Sequence, residues 1–307
     1  MKNGKAKYNA LLLIAAMIWG AAFVAQSEGI KHVGPFTFNG IRFALGSACI
    51  LPVILVSSKR SSVPAARMFK SAWLPGLITG SVLFAGSFLQ TLGIAYTTVG
   101  KAGFITGLYI VLVPVAGIFL KHTTGLKVWL SVGIAAAGLY LLSVQGDLTI
   151  AKGDLLVLAS AVFCAAQILL VDCFSKRADV FTFAFTQSLT CSALSIAAAL
   201  LFESIDVTQV LQAAVPILYS GLFSVGIAFT LQVVGQKHAA PSHAALIMSM
   251  EAVFAALTGW LLLGEQMQLK EYIGCALMLG GMLLTQLPGR RRDMAASIQY
   301  NESNKTL

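Results

Sequence analysis

The sequence predicts an all-α integral membrane protein of ten transmembrane helices arranged as two inverted five-helix repeats. Three observations carry that expectation: an apolar composition with few charges, ten apolar windows of spanning length, and a register in which the second half of the chain repeats the first. Of 307 residues, 57% are hydrophobic and 11% charged, against about 25% charged in a soluble domain, and the mean hydropathy is +0.82. Water cannot be the main solvent of such a chain. Its 28 glycines suit helices packed in lipid, where small residues let backbones approach.

A spanning helix needs about 20 largely apolar residues. Windows of that length fall near 9–27, 35–57, 72–94, 98–120 and 126–144, and then near 153–173, 180–202, 212–235, 240–262 and 270–288. The first apolar run, Ala10 to Ala25, follows Lys2, Lys5 and Lys7 and so imitates a secretory signal peptide. Its near-spanning length and the many runs behind it favour a retained first helix. The connections are short and leave no soluble domain. Residues 1–148 are read as the first repeat, 149–290 as the second and 291–307 as a polar cytoplasmic tail.

Orientation follows from where Lys and Arg fall between the windows. With the N-terminus inside, the inner side collects Lys2, Lys5, Lys7, Lys59, Arg60, Arg67, Lys70, Lys121, Lys127, Lys176, Arg177, Lys237, Arg290, Arg291, Arg292 and Lys305. The other side receives Lys31, Lys101, Lys152 and Lys270, and Arg42 lies within a helix. Both termini are therefore expected in the cytoplasm, with the chain in the inner or plasma membrane. The formal net charge of +9 is topogenic on this reading. The basic residues form no continuous face for nucleic acid.

The halves align at a constant offset of 142, which lays Phe88 to Lys101 over Thr230 to His243. Gln90 then meets Gln232, Gly93 meets Gly235, and the ungapped register carries Tyr109 onto Glu251. Near an offset of 145, Phe36-Thr37-Phe38 meets Phe181-Thr182-Phe183. Five helices per half is an odd number, so the second half enters the membrane in the opposite sense. Inverted repeats recur in secondary transporters, where exchanging the conformations of the halves opens either side in turn.

Other chemistry is scarce. The chain contains no GxxxxGK[ST], HExxH or GxSxG motif, which points away from a nucleotide site and towards no cofactor. Cys49, Cys164, Cys173, Cys191 and Cys275 show no metal-ligand spacing and read as small packing residues. An intramembrane enzyme acting on lipid-linked substrates would need clustered acids or histidines, whereas Asp172, Asp179, Glu203 and Asp206 stand at helix ends. A lipid flippase or a scaffold is a further alternative. A non-enzymatic permease, with the bilayer and a small molecule as its partners, is the leading expectation.

The sequence resembles the EamA-type permeases of the drug/metabolite transporter superfamily over about residues 8–288. The resemblance rests on Trp19-Gly20, Arg42-Phe43, the stretch Thr97 to Pro114 and, most specifically, His243 to Glu265. It implies a permease, often an exporter of amino acids, metabolites or drugs, with its pathway between the halves. Ala252 and His243 stand where many relatives carry a proline and a basic residue.

Polar residues inside the windows are the pathway candidates. Arg42 lies about seven residues into its helix, roughly 10 Å along it. An Arg near a helix centre costs on the order of 2.5–3.5 kcal/mol on insertion scales, so it should face protein or a wet cavity. It could bind or gate a solute, or serve as a structural arginine tied to carbonyls or an acid. Glu251 interrupts the uncharged run Ala244 to Gly264. Alone in a dry site it could carry a proton, and beside Arg42 it would be a fixed counter-ion; both readings stay open. Asn39, three residues before Arg42, shares its helix face, and Gln90 with Gln232, Gln167 and Gln187 could line the pathway or act as interhelical glue. Trp19 and Tyr109 could form its aromatic walls. Pro52, Pro75, Pro114 and Pro216 can bend their helices.

Overall fold

In the computed structural model, residues 2–60, 64–97, 99–119, 124–143, 152–264 and 268–287 are described. The tail 291–307, Lys121, Glu265, Arg290 and the boundary between residues 148 and 149 lie outside the described residues. Those residues form helices and no strands. The helices are α1 (Lys2–Gly29), α2 (Pro35–Arg60), α3 (Ala65–Ile94), α4 (Val99–Phe119), α5 (Leu126–Ser143), α6 (Lys152–Ser175), α7 (Val180–Phe202), α8 (Ala214–Gln236), α9 (Pro241–Leu262) and α10 (Leu269–Gln286). A short helix, Val207–Gln212, leads into α8. Eight of these, α1–α4 and α6–α9, are long and apolar enough to cross a membrane, while the apolar run of α5, Leu126–Leu141, is shorter.

Every predicted window falls on one helix. The largest differences are at the starts of α1 and α3, which begin at Lys2 and Ala65, each about a turn or two before its window. An apolar window marks only the part of a helix that lies in hydrocarbon, whereas backbone hydrogen bonding continues through flanking residues such as Lys7, Arg67 and Lys70, which suit a wet boundary.

The halves interleave. The most extensive contacts run between them, pairing α5 with α10, α2 with α7, α3 with both α6 and α7, α8 with both α1 and α2, α1 with α9 and α4 with α6. Replacing each helix by the one five places along leaves this set of partners unchanged. In lipid there is little hydrophobic drive between helices, so close backbone approach has to supply the attraction, and glycines mark the crossings. A Cβ on Gly46 would stand 2.2 Å from Val225, one on Gly80 would stand 2.5 Å from the Gln187 carbonyl, and one on Gly138 would stand 2.6 Å from the Gly274 carbonyl.

The Phe-Thr-Phe match also has a structural counterpart. At the start of α7, the Asp179 carboxylate accepts hydrogen bonds from the Thr182 N–H (2.9 Å) and hydroxyl (2.7 Å), an ordinary N-cap. The matching position before α2 is Gly34, whose carbonyl accepts the first helical bond, from Phe38, but which has no side chain. Glu203, at the far end of α7, takes its place and accepts from the N–H groups of Phe36 (2.9 Å) and Thr37 (2.8 Å) and from the Thr37 hydroxyl (2.7 Å). The carboxyl carbon of Glu203 lies 2.2 Å from where a Gly34 Cβ would be. One cap is thus local and the other crosses between halves.

Two outcomes follow for purified protein unfolded by heat in detergent. Glu203→Ala should cost about 1–2 kcal/mol as a lost cap, and Gly34→Asp should recover most of that loss only when Glu203 is absent. At the adjacent glycines of α10, Gly281→Ala should lower the unfolding midpoint because its Cβ would meet the Ser131 carbonyl at 2.8 Å, whereas Gly280→Ala, with nothing within 4 Å, should leave it unchanged or raise it slightly.

Candidate functional site

Two helices are broken, at matching positions. α4 is interrupted at Leu108 between Gly107 and Tyr109, and α9 at Ser249 and Met250, just before Glu251. Each break is a tightened turn: the N–H groups of Leu108 and Val111 donate to the carbonyls of Ile105 and Leu108, three residues back, and those of Met250 and Ala252 donate to Ile247 and Ser249. Neither break is at a proline. Pro114 lies further along α4, and α9 breaks even though residue 252 is alanine. Irregular backbone at membrane depth is tolerated where protein buries it or where it lines a cavity. Tyr109 and Glu251, the residues that follow the breaks, both line one.

The cavity contains about 670 Å³ of space free of atoms, part of it continuous with the outside. Its walls come from α1, α2, α3 and α4 of the first half and from α6, α8 and α9 of the second. Arg42 and Glu251 are its charged residues, 3% and 5% exposed. The Arg42 Nε donates to Asn39 Oδ1 at 2.9 Å, and its guanidinium carbon lies 5.0 and 5.5 Å from the ring centroids of Phe43 and Phe38. Asn39 is itself held by the Ser87 carbonyl (3.3 Å) and by the Thr91 hydroxyl (3.3 Å), which also reaches Gln26 (3.2 Å). The plane of the guanidinium is therefore fixed from behind, as a recognition site needs.

Glu251 lies beside Tyr109 and Cys164. Among the described residues, neither its Oε1 nor the Tyr109 hydroxyl has a hydrogen-bond partner of good geometry. No ion pair joins Arg42 to Glu251; the pairs found among the described residues are Lys31 with Glu28, Lys101 with Asp154 and Lys176 with Asp172. Arg42 and Glu251 thus both face the cavity with no ion-pair partner among the described residues.

The glutamines are partly paired. Gln90 donates to Thr106 (3.2 Å), and Gln232 donates to Gln167 (3.0 Å), with the reverse contact at 3.3 Å. On the first wall, the Trp19 indole N–H donates to the Ser224 carbonyl (3.3 Å), and its ring meets Phe229 edge-on at 5.0 Å. Ser224 belongs to a π-helical stretch of α8, Ser220–Phe229. Such widened turns disturb the regular ladder and are frequent at functional sites.

Of the residues singled out in the sequence, Arg42, Glu251, Gln90, Gln232, Trp19, Tyr109 and Gln167 line this cavity. Asn39 and Gln187 stand behind it, one hydrogen bond from Arg42 and from Gln167 respectively. Sequence reasoning missed Gln26, Ser87, Thr106, Phe163, Cys164 and Met248. Thr106 lies three residues before Tyr109 and shares its face, a signal that was available. The apolar lining residues look like any lipid-facing side chain in sequence.

Asn39→Ala would take the acceptor from Arg42 Nε and should cost about 1–3 kcal/mol, read as a lower unfolding midpoint. Gln187→Ala, which gives up only a 3.5 Å contact, should cost less.

The profile of the EamA-like transporter family matches twice, over residues 6–144 and 151–287. An uncharacterized transporter of Archaeoglobus fulgidus is 31% identical over 283 residues, covering 90% of this chain and 84% of the relative. The uncharacterized transporter YoaV of Bacillus subtilis is 22% identical, covering 92% and 98%. A solved crystal structure superposes with a TM-score of 0.74 at 20% identity, covering 92% of this chain and 97% of the other, a likeness of fold.

Proposed function

We propose, from the premise that the chain belongs to the EamA-like transporter family of the drug/metabolite transporter superfamily, that it is a secondary exporter of small metabolites, amino acids or drug-like compounds. Family membership makes it a multi-pass membrane transporter rather than an enzyme. The finer reading is that all ten helices cross the bilayer, that residues 1–148 and 149–290 form two inverted repeats, and that the halves alternate access to a site between them. The single observation that carries it is the cavity between the halves, with Arg42 from one and Glu251 from the other.

Further support comes from the repeat. The set of helix partners survives the five-place exchange, and the breaks in α4 and α9 fall at positions that match in the sequence register. Discontinuous helices at the midplane of repeat-built transporters are where solutes and coupling ions are bound. The distribution of Lys and Arg supports an inner or plasma membrane location with both termini cytoplasmic. A proton is the proposed coupling ion, with Glu251 as its carrier.

Purified protein in liposomes, offered a panel of small solutes with and without an imposed pH gradient, tests these points together. At least one solute should move, the gradient should change its rate, and Glu251→Gln should slow it by about ten-fold or more, the loss of at least ~1.4 kcal/mol of useful interaction. A normally inserted Glu251→Gln variant that runs at the wild-type rate across the pH range would remove Glu251 from the mechanism. Movement of labelled lipid, with no solute moved, would replace the permease reading by a flippase.

A further inference from the structure

We infer that two matching glycine contacts, Gly93 with Val157 and Gly235 with Leu12, are the gates that close the two ends of the central cavity. This rests on the permease reading and names the parts that separate when a solute enters or leaves.

Each contact joins one half to the other at a backbone with no side chain. A Cβ on Gly93, near the end of α3, would stand 2.6 Å from Val157 Cγ2 and 3.0 Å from the Gly153 carbonyl oxygen of α6. A Cβ on Gly235, near the end of α8, would stand 2.7 Å from Leu12 Cδ2 and 3.4 Å from the Tyr8 carbonyl oxygen of α1. The two contacts are images of each other under the repeat. The offset of 142 carries Gly93 onto Gly235, and the offset of 145 carries Tyr8 onto Gly153 and Leu12 onto Val157.

The contacts also bracket the cavity. Gln90 and Gln232 line it, and each glycine stands three residues further along the same helix, towards its end. The Thr91 hydroxyl donates to Gln26, which sets the Gly93 contact level with the far end of α1. Leu12 lies fourteen residues before Gln26 in that helix, roughly 21 Å away at 1.5 Å per residue. Beyond each glycine is a fastener of different chemistry. On the α3 side the Thr97 hydroxyl donates to Asp154 (2.6 Å), and Lys101 stands 3.8 Å from the same carboxylate. On the α8 side the rings of Tyr8 and His238 stack at 3.9 Å.

Geometry makes each contact a two-position device. Much of the dispersion attraction is lost within about an ångström of separation, and glycine has no rotamer with which to follow a receding partner. Both contacts span the halves, at opposite ends of the cavity. Rocking of one half against the other about the level of the cavity therefore parts one contact and presses the other together.

The test uses the full chain with Cys164, which lines the cavity, as its one cysteine, the other four being replaced by alanine. A membrane-impermeant methanethiosulfonate is added to intact cells or to inside-out vesicles, and the rate of Cys164 labelling is read from each face. Gly93→Val, which wedges one gate, should raise the rate from one face about ten-fold relative to the other, the outer face on the orientation given by Lys and Arg. Gly235→Val should shift the ratio the opposite way, and both should slow solute flux in liposomes. Gly138→Ala overpacks the crossing of α5 and α10, which does not line the cavity, and should lower the unfolding midpoint without changing the ratio. If a valine variant fails to fold, Val157→Ala and Leu12→Ala loosen the same contacts from the partner side and should shift the ratio in the same two directions.

Folded variants that leave the ratio unchanged, shift it in one common direction or leave Cys164 unlabelled from both faces would overturn the gates. Solute flux persisting alongside any of those results would keep the permease reading intact. Opposite shifts with no solute moved would uphold the gates and defeat the permease reading.

Discussion

Lipid offers no hydrogen bonds, and nearly every feature of this chain answers to that constraint. It makes the described structure helical, because only a helix satisfies its backbone within its own segment as it crosses hydrocarbon. It also dictates where helices can be irregular. The breaks in α4 and α9 place freed backbone and the side chains of Tyr109 and Glu251 beside a cavity rather than beside lipid. The same rule explains why the polar residues gather: Arg42, Asn39, Thr91 and Gln26 form one connected network, and Gln167 and Gln232 pair across two helices.

Much of this was legible in the sequence. Apolar windows locate all the long helices because a spanning length is set by the bilayer rather than by tertiary packing. Arg42 and Glu251 stand out because a charge in such a window is costly. The offset of 142 foretold that Tyr109 and Glu251 would occupy equivalent places. Less legible was what depends on side-chain contact at a distance. That Arg42 and Glu251 share a cavity without pairing depends on how distant helices are placed around it, and periodicity carries no trace of that. Nor does the sequence announce the π-helical stretch of α8: Ser220–Phe229 includes Gly221 and Gly226, which weaken a helix without specifying a widened turn.

The two halves are related without being equal. α8 is widened over Ser220–Phe229, while the matching stretch of α3, Ile78 to Ser87, is regular helix. α7 carries its own cap in Asp179, while α2 borrows Glu203 from across the interface. A borrowed cap holds only while the end of α7 stays beside the start of α2, so this contact reports on the relative position of the halves in a way that the local cap does not. Symmetry supplies the common frame, and these departures distinguish one end of the molecule from the other.

The interleaving also bears on how the protein is made. A ribosome delivers α1 to α5 first, yet α5 has its principal partner in α10, the last helix, and α2 and α3 have theirs in α7 and α6. The first half therefore lacks its principal packing partners until the second half arrives. Its early helices must be stable to insertion one by one, as their apolarity permits, and the glycine crossings form late. A chain cut short after α5 would leave Gly46, Gly80 and Gly138 without the helices they cross, and the arrival of α10 supplies the principal partner of α5.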